Sequence, residues 1–80
     1  MSTVRVRYFA ALREERGVPE ESMATVAADA GALYDELRSR HGLTLPRDRV
    51  RVAINDEFAP WTSLLREGDC VAFLPPVAGG

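Results

Sequence analysis

Strand-like alternation at both ends of the chain is the feature that most constrains the fold. Val4, Val6 and Tyr8 lie on one phase near the start, and Val71 and Phe73 lie on one phase near the end. Successive side chains of a strand point to opposite faces, so each segment is predicted to be a strand with one buried face. Because both strands need a core on one side, they can lie next to each other in a single sheet.

A single long helix is predicted between these two strands. Asp29 can cap it through its carboxylate, and apolar residues then recur at spacings of three and four, which places them on one side of a helix. That apolar stripe consists of Ala30, Leu33, Leu37 and His41. Gly42 follows the stripe and is a suitable residue to end the helix.

Shorter elements complete the chain. A second strand is predicted over residues 20–27, a third over residues 50–54, and a brief return strand after the turn signal Asn55-Asp56. A short helical turn is predicted over residues 10–16. One main helix packed on one face of a mixed sheet, with the first and last strands adjacent, is an α+β fold of the β-grasp, or ubiquitin-like, kind.

Length and charge exclude several classes of protein. Eighty residues make one small domain, and a net charge of −2 is not the basic footprint of a nucleic-acid-binding protein. No apolar run approaches the roughly 18 residues that span a bilayer, and the first residues lack the apolar stretch of a signal peptide. The single cysteine, Cys70, cannot form an internal disulfide. We therefore expect a cytoplasmic domain that binds neither nucleic acid nor membrane.

Side chains suited to catalysis are scarce. All ten basic residues are arginine, so no lysine amine is available as a base or an acyl acceptor. His41 is the only histidine and Cys70 the only cysteine, which excludes the usual metal-ligand clusters. A place in a strand explains Cys70 more simply than a role as a nucleophile. We expect no metal, no bound cofactor and no active site within the chain itself.

The last residues are the remaining candidate for chemistry. Pro75-Pro76 interrupts strand pairing and stiffens the chain, which divides it into a domain over residues 1–76 and a flexible tail over residues 77–80. The two final glycines carry no Cβ, so such a tail can enter a narrow channel and present its carboxylate to a reaction. The alternative is a frayed terminus without a function.

Three apolar side chains have no evident place in the core. Phe9 and Leu74 fall on the outward phase of their strands, and Phe58 lies in a short polar stretch. On a small domain, an exposed apolar set near one sheet edge indicates a surface for a partner. The phase of the strands allows equally that these side chains cover the rim of the core.

Three segments of the sequence carry a resemblance to a known family. They are residues 4–14 (VRVRYFAALRE), residues 52–55 (VAIN) and residues 68–80 (GDCVAFLPPVAGG). In this order they match the opening, the middle and the end of that family. The chain resembles the small subunit of molybdopterin synthase, of the MoaD type, over its whole length. Cys70 stands where that family usually has glutamate.

The resemblance implies a sulfur carrier for molybdenum cofactor biosynthesis. It implies that a ubiquitin-activating-type enzyme adenylates the carboxylate of Gly80 with ATP and magnesium, and that a sulfurtransferase then forms a thiocarboxylate. Gly79 would let the tail thread into the large subunit of molybdopterin synthase, where the sulfur passes to cyclic pyranopterin monophosphate. The implied assembly is a heterotetramer with a dimer of large subunits at its centre.

The same resemblance implies which residues contact partners. Phe9, Phe58 and Leu74 correspond to apolar contacts with the large subunit, and they are the side chains that strand phase singles out. Arg13 corresponds to an arginine of the family's opening segment and is expected to bind an acidic group of a partner. The other implied partner contacts are Pro75, Pro76 and Val77.

Three other functions stay open on the sequence. The first is a sulfur carrier for a different acceptor, in thiamine synthesis, cysteine synthesis or tRNA thiolation. The second is a ubiquitin-type modifier that forms isopeptide bonds with lysines of target proteins. The third is a β-grasp interaction module whose tail is chemically inert.

Overall fold

The computed structural model describes residues 1–76, and the predicted tail over residues 77–80 lies outside the described part. Within residues 1–76 the chain forms a sheet, two α-helices and one short 3-10 turn. In chain order these elements are β1 (Ser2–Tyr8), α1 (Ala10–Arg16), β2 (Glu20–Thr25), α2 (Ala30–His41), the 3-10 turn (Arg47–Arg49), β3 (Arg51–Ile54), β4 (Glu57–Ala59) and β5 (Cys70–Leu74).

The five strands form one mixed sheet in the order β2-β1-β5-β3-β4. β1 and β5 are parallel, with Arg5 beside Cys70 and Tyr8 beside Phe73. The other three pairings are antiparallel. The first and last strands are therefore central neighbours, which confirms the predicted mixed sheet.

The core lies on the face of the sheet that α2 covers. Every core residue predicted on the first and last strands is at most 2% exposed. Burial of these apolar side chains stabilises the fold by about 25 cal/mol for each Å² removed from water. The largest fully buried side chains are Tyr8, Tyr34, Phe73, Leu12, Leu33, Leu37, Val4, Val6, Val52 and Val71. The predicted α+β, β-grasp architecture with one main helix on one face is confirmed.

Both ends of α2 are closed by the means that the sequence predicts. The Asp29 carboxylate accepts a hydrogen bond from the backbone N–H of Ala32 at 2.8 Å. Gly42 ends the helix in the left-handed region, at φ 68°. Two further N–H groups at the start of α2 donate to the carbonyls of Trp61 and Ser63. The irregular segment before β5 is thereby fastened to the helix.

Some local predictions are corrected or refined. β2 ends at Thr25 rather than at residue 27, and His41 is half-buried at the end of the helical stripe. In the irregular segment before β5, Leu65 packs against the core and Leu64 is 72% exposed. Trp61, which sequence reasoning left without a role, also packs against the core. In residues 1–76 no helix is both long and apolar enough to cross a membrane.

Candidate functional site

The chain leaves the sheet from its middle. β5 lies between β1 and β3, and it ends at Leu74. Pro75 is half-buried and Pro76 is exposed, and these two residues form the stem of the tail. The predicted functional residues Val77, Gly79 and Gly80 lie outside the described part of the chain. The candidate site is therefore the surface around the stem.

Two of the predicted contact residues lie beside the point at which the chain leaves the sheet. Phe9 directly follows Tyr8, the partner of Phe73, and so lies next to Leu74. Both Phe9 and Leu74 are half-buried and lie on the face opposite the core. The expectation that they lie near a sheet edge is wrong, because their strands are the second and third of five. Strand phase identified the face correctly but did not show whether these strands lie at the edge or in the middle of the sheet.

Phe58 is the exposed member of the predicted set. It lies on β4, which is an edge strand, and 63% of its surface is exposed. Its pairing with Ala53, which in turn pairs with Ala72, places it on the same open face as Leu74. The structure therefore brings the three predicted apolar contact residues onto one face, around the stem.

Two grooves meet at the stem. The first has a volume of about 430 Å³ and is mainly apolar, with arginines at its margin. Its lining residues are Asp48, Arg49, Val50, Arg51, Phe58, Leu74, Pro75 and Pro76. The second, of about 740 Å³, lies beside α1 and is lined by Ala10, Ala11, Arg13, Glu14, Gly17, Val18, Pro19 and Pro76. Pro76 is common to both, so a partner that holds the stem has a groove on either side to fill.

Arginines stack on both outward-facing phenylalanines. The guanidinium carbon of Arg51 lies 4.4 Å from the centre of the Phe58 ring, and that of Arg7 lies 5.2 Å from the centre of the Phe9 ring. Both distances fall within the range of a cation–π contact. Sequence reasoning missed these pairs. For Arg7 and Phe9, the signal is their spacing of two along the chain, which puts both on one face.

A polar cluster holds α1 beside the end of β1. The Tyr8 hydroxyl donates to Glu21 at 2.6 Å, and Arg16 donates to both oxygens of the same carboxylate at 2.8 and 2.9 Å. The Arg16 guanidinium holds the pKa of Glu21 below its usual value, and burial raises the pKa of Tyr8. The cluster positions the helix that carries Arg13, and it gives no group a pKa near neutrality for acid–base catalysis.

His41 and Cys70 are not brought together. Cys70 is half-buried on the open face at the start of β5, whereas His41 ends the helix on the opposite face. Burial and the charge of Arg16 lower the pKa of His41. Because the sheet separates the two side chains, they cannot form a nucleophile–base pair. Residues 1–76 contain no group of three or more histidine, cysteine, aspartate or glutamate side chains placed to hold a metal ion.

Comparison with known proteins covers nearly the whole chain. The model of the ThiS family matches residues 6–80. The chain belongs to the ThiS family. A curated relative, the molybdopterin synthase sulfur carrier subunit of Mycobacterium tuberculosis, is 39% identical over 87 residues, covering 100% of both chains. The subunit of the same name from Haemophilus influenzae is 35% identical over 80 residues, covering 96% of this chain and 99% of the relative.

Solved structures support the same placement for this ThiS-family chain. SAMP1 from Haloferax volcanii superposes with a TM-score of 0.83 at 27% identity, covering 99% of this chain and 100% of the other. A complex of subunits 1 and 2 of the molybdopterin-converting factor from Helicobacter pylori matches with a TM-score of 0.68 at 28% identity. That match covers 98% of this chain and 99% of the other. The resemblance predicted from the sequence is thereby confirmed.

Proposed function

We propose that this chain is the sulfur carrier subunit of a molybdopterin synthase and that the carboxylate of Gly80 carries the sulfur. The full-length relatives bear that name, and the complex of two subunits among the structural matches supports a large-subunit partner. The observation that carries the proposal is the exit of the chain from the central strand β5 between two grooves, directly before the segment that ends in Gly-Gly. Such a stem offers a partner a groove on either side of the chain directly before the tail.

The proposed chemistry begins with activation of Gly80. A carboxylate with a pKa of about 3.5 is ionised at neutral pH and is a poor electrophile. An adenylating enzyme transfers AMP from ATP to this carboxylate and releases pyrophosphate, with magnesium bound by that enzyme. A sulfide equivalent from a sulfurtransferase attacks the acyl carbon, and AMP leaves with its electron pair. The product is a thiocarboxylate, whose sulfur is nucleophilic.

The second half of the cycle takes place in the large subunit. The tail enters its active site, and the thiocarboxylate sulfur is transferred to cyclic pyranopterin monophosphate, with water restoring the carboxylate of Gly80. Gly79 and Gly80 suit this step because a Cβ widens the chain where a channel must enclose it. We propose a cytoplasmic heterotetramer as the working assembly.

Mass spectrometry tests the first half. The full chain is incubated with the adenylating enzyme, ATP, magnesium and a sulfur donor. The expected product has one sulfur in place of one oxygen at Gly80, and Cys70→Ser forms it equally well. A chain that lacks Gly80 is expected to form no product and to keep its thermal stability, because the core cluster of the described domain ends at Phe73. Sulfur found on Cys70 instead contradicts the proposal.

The acceptor is tested separately with the large subunit. The thiocarboxylate form, mixed with the large subunit and cyclic pyranopterin monophosphate, is expected to yield molybdopterin. Formation of the thiocarboxylate without any transfer to the pterin indicates a sulfur carrier for a different acceptor. Full molybdopterin formation by the chain that lacks Gly80 refutes a chemical role for the tail.

A further inference from the structure

Four arginine side chains lie around the stem. Arg7 on β1 and Arg51 on β3 lie on the two strands that flank β5, each over a phenylalanine ring. Arg49 lines the groove on the β3 side and Arg13 the groove on the α1 side. All four side chains are exposed. We call these four residues, Arg7, Arg13, Arg49 and Arg51, the arginine collar.

The arginines of the collar form no close ion pair with the described domain. Arg16, Arg40 and Arg47 each form an ion pair with a carboxylate, whereas no collar arginine has a carboxylate of residues 1–76 within 4.0 Å. The chain has 12 acidic residues against 10 basic ones, a net charge of −2, so carboxylates that could pair with these arginines are not scarce. Three of these acids, Glu14, Glu20 and Asp48, lie in grooves that collar arginines also line, yet they do not pair with them. The guanidinium groups of the collar are thus not held by a carboxylate of the domain and can bind another molecule.

The geometry of the collar suits carboxylates. A guanidinium stacked on an aromatic ring is held in a defined orientation, and its N–H groups at the edge remain free to donate. Two such groups, on Arg7 and Arg51, stand on either side of β5. Arg51 also lines the first groove, whose apolar side chains include Phe58 and Leu74. A partner surface complementary to the collar and the first groove has acidic groups at its margin and apolar side chains at its centre.

We infer that the protein which receives the tail presents carboxylates to the arginine collar, around the apolar contacts that the family resemblance already implies for Phe58, Leu74 and Pro75. This inference rests on the proposed function and names the chemistry of its partner surface, the rim of the large subunit's channel. Attraction between the two rims steers the carrier into the orientation in which the stem faces the channel. The collar sets the rate of association, and the apolar contacts slow dissociation.

The test measures association of the full chain with the molybdopterin synthase large subunit by stopped-flow kinetics over a range of salt concentrations. Arg51→Gln and Arg7→Gln are each expected to lower the association rate constant about threefold at low salt, and to flatten its decline with added salt. The matched control is Arg66→Gln. Arg66 is also exposed and without an ion pair in residues 1–76, but it lies in the loop at the other end of β5. This control variant is expected to associate like the unmodified chain.

A conservative replacement separates charge from packing. Arg51→Lys keeps the charge and loses the planar stack on Phe58, so its association rate is expected to stay within a factor of about two of the unmodified chain. A rate for Arg51→Lys as low as that for Arg51→Gln shows that packing, not charge, is responsible and overturns the inference. Circular dichroism of each variant shows whether its fold is intact.

The outcomes distinguish this inference from the proposed function. Binding of the large subunit with equal rates for the collar variants and Arg66→Gln overturns the collar and leaves the sulfur carrier function standing. Failure of the unmodified chain to bind the large subunit overturns both. Binding of a single-stranded oligonucleotide, lost in the collar variants but kept in Arg66→Gln, assigns the collar to a different partner and also overturns the inference.

Discussion

At the scale of single residues, Glu21 links three elements through one carboxylate. It accepts from the Tyr8 hydroxyl of β1 and from two nitrogens of Arg16 in α1, while it lies on β2 itself. The Glu21 and Arg16 side chains are only 24% and 23% exposed. Hydrogen bonds to a partly buried carboxylate are stronger than those between neutral groups. Removing the carboxylate charge weakens them and leaves the donors of Tyr8 and Arg16 poorly satisfied.

Replacing this carboxylate by an amide is expected to weaken the fold in a pH-dependent way. Glu21→Gln lowers the free energy of unfolding by about 1–2 kcal/mol at pH 7. Because Arg16 depresses the pKa of Glu21 in the folded state, its contribution is complete above the unfolded pKa of about 4.3. The contribution is lost as the pH falls through the depressed pKa.

Urea denaturation at pH 7 and pH 3 measures this difference. The gap between Glu21→Gln and the unmodified chain is expected to narrow at pH 3. The matched control is Glu14→Gln, since Glu14 is exposed and has no side-chain hydrogen bond in residues 1–76. That control is expected to shift the free energy of unfolding by less than about 0.5 kcal/mol. If Glu21→Gln lowers the free energy of unfolding equally at pH 7 and pH 3, the charged form of Glu21 is not what stabilises the fold.

At the scale of elements, the turn between β3 and β4 sets the position of Phe58. Asn55 and Asp56 both have positive φ angles, 52° and 73°. Two consecutive residues in the left-handed region form the tight hairpin turn that Asn-Gly favours. Asn55 is further held because its side chain accepts from the backbone of Cys70 and donates to Asp69. The free-energy cost of the left-handed conformation is therefore offset by hydrogen bonds at Asn55 but not at Asp56.

A glycine at position 56 is expected to stabilise the hairpin. Asp56→Gly removes the clash between Cβ and the backbone and raises the free energy of unfolding by about 0.5–1 kcal/mol. Asp56→Ala, which keeps Cβ and loses a side chain suited to turns, lowers it. Thermal denaturation of the two variants checks the order glycine, aspartate, alanine. Equal stability of the Asp56→Gly and Asp56→Ala variants contradicts a left-handed Asp56.

At the scale of the whole molecule, one aromatic cluster joins helix, sheet and loop. The Trp61 ring lies 5.4 Å from Tyr34 of α2 and 6.1 Å from Phe73 of β5, measured between ring centres. The guanidinium carbon of Arg47 lies 5.9 Å from the centre of the Trp61 ring, and Arg47 pairs with Asp35 of α2 at 2.6 Å. The irregular segment before β5 is thus packed against both the helix and the sheet, and we expect it to unfold together with them.

The domain is expected to unfold in a single transition, which fluorescence and circular dichroism should both report. Trp61 is the only tryptophan, so its fluorescence reports on the irregular segment, while far-ultraviolet circular dichroism reports on the helices and strands. The two curves in urea should have the same midpoint, because small domains with one core unfold cooperatively. Fluorescence that changes at a lower urea concentration than circular dichroism shows that the segment detaches first.

Local sequence signals by themselves determined the elements and their faces. The alternation at Val4, Val6 and Tyr8, the helical stripe after Asp29 and the turn at Asn55 depend on backbone geometry over a few residues. The resemblance over the whole length also followed from the sequence, and the ThiS match over residues 6–80 confirms it. Such features survive in the folded protein because the core uses the same faces that the pattern defines.

The tertiary structure alone decided where in the sheet the adjacent first and last strands lie, and what surrounds the stem. It placed Phe9 and Leu74 in the middle of the sheet, chose Leu65 over Leu64 for the core, and set Arg51 over Phe58. These outcomes depend on contacts between segments that are distant along the chain. The period of the hydrophobic pattern, two residues in a strand and 3.6 in a helix, indicates which side of an element is buried. It does not indicate which element lies beside it.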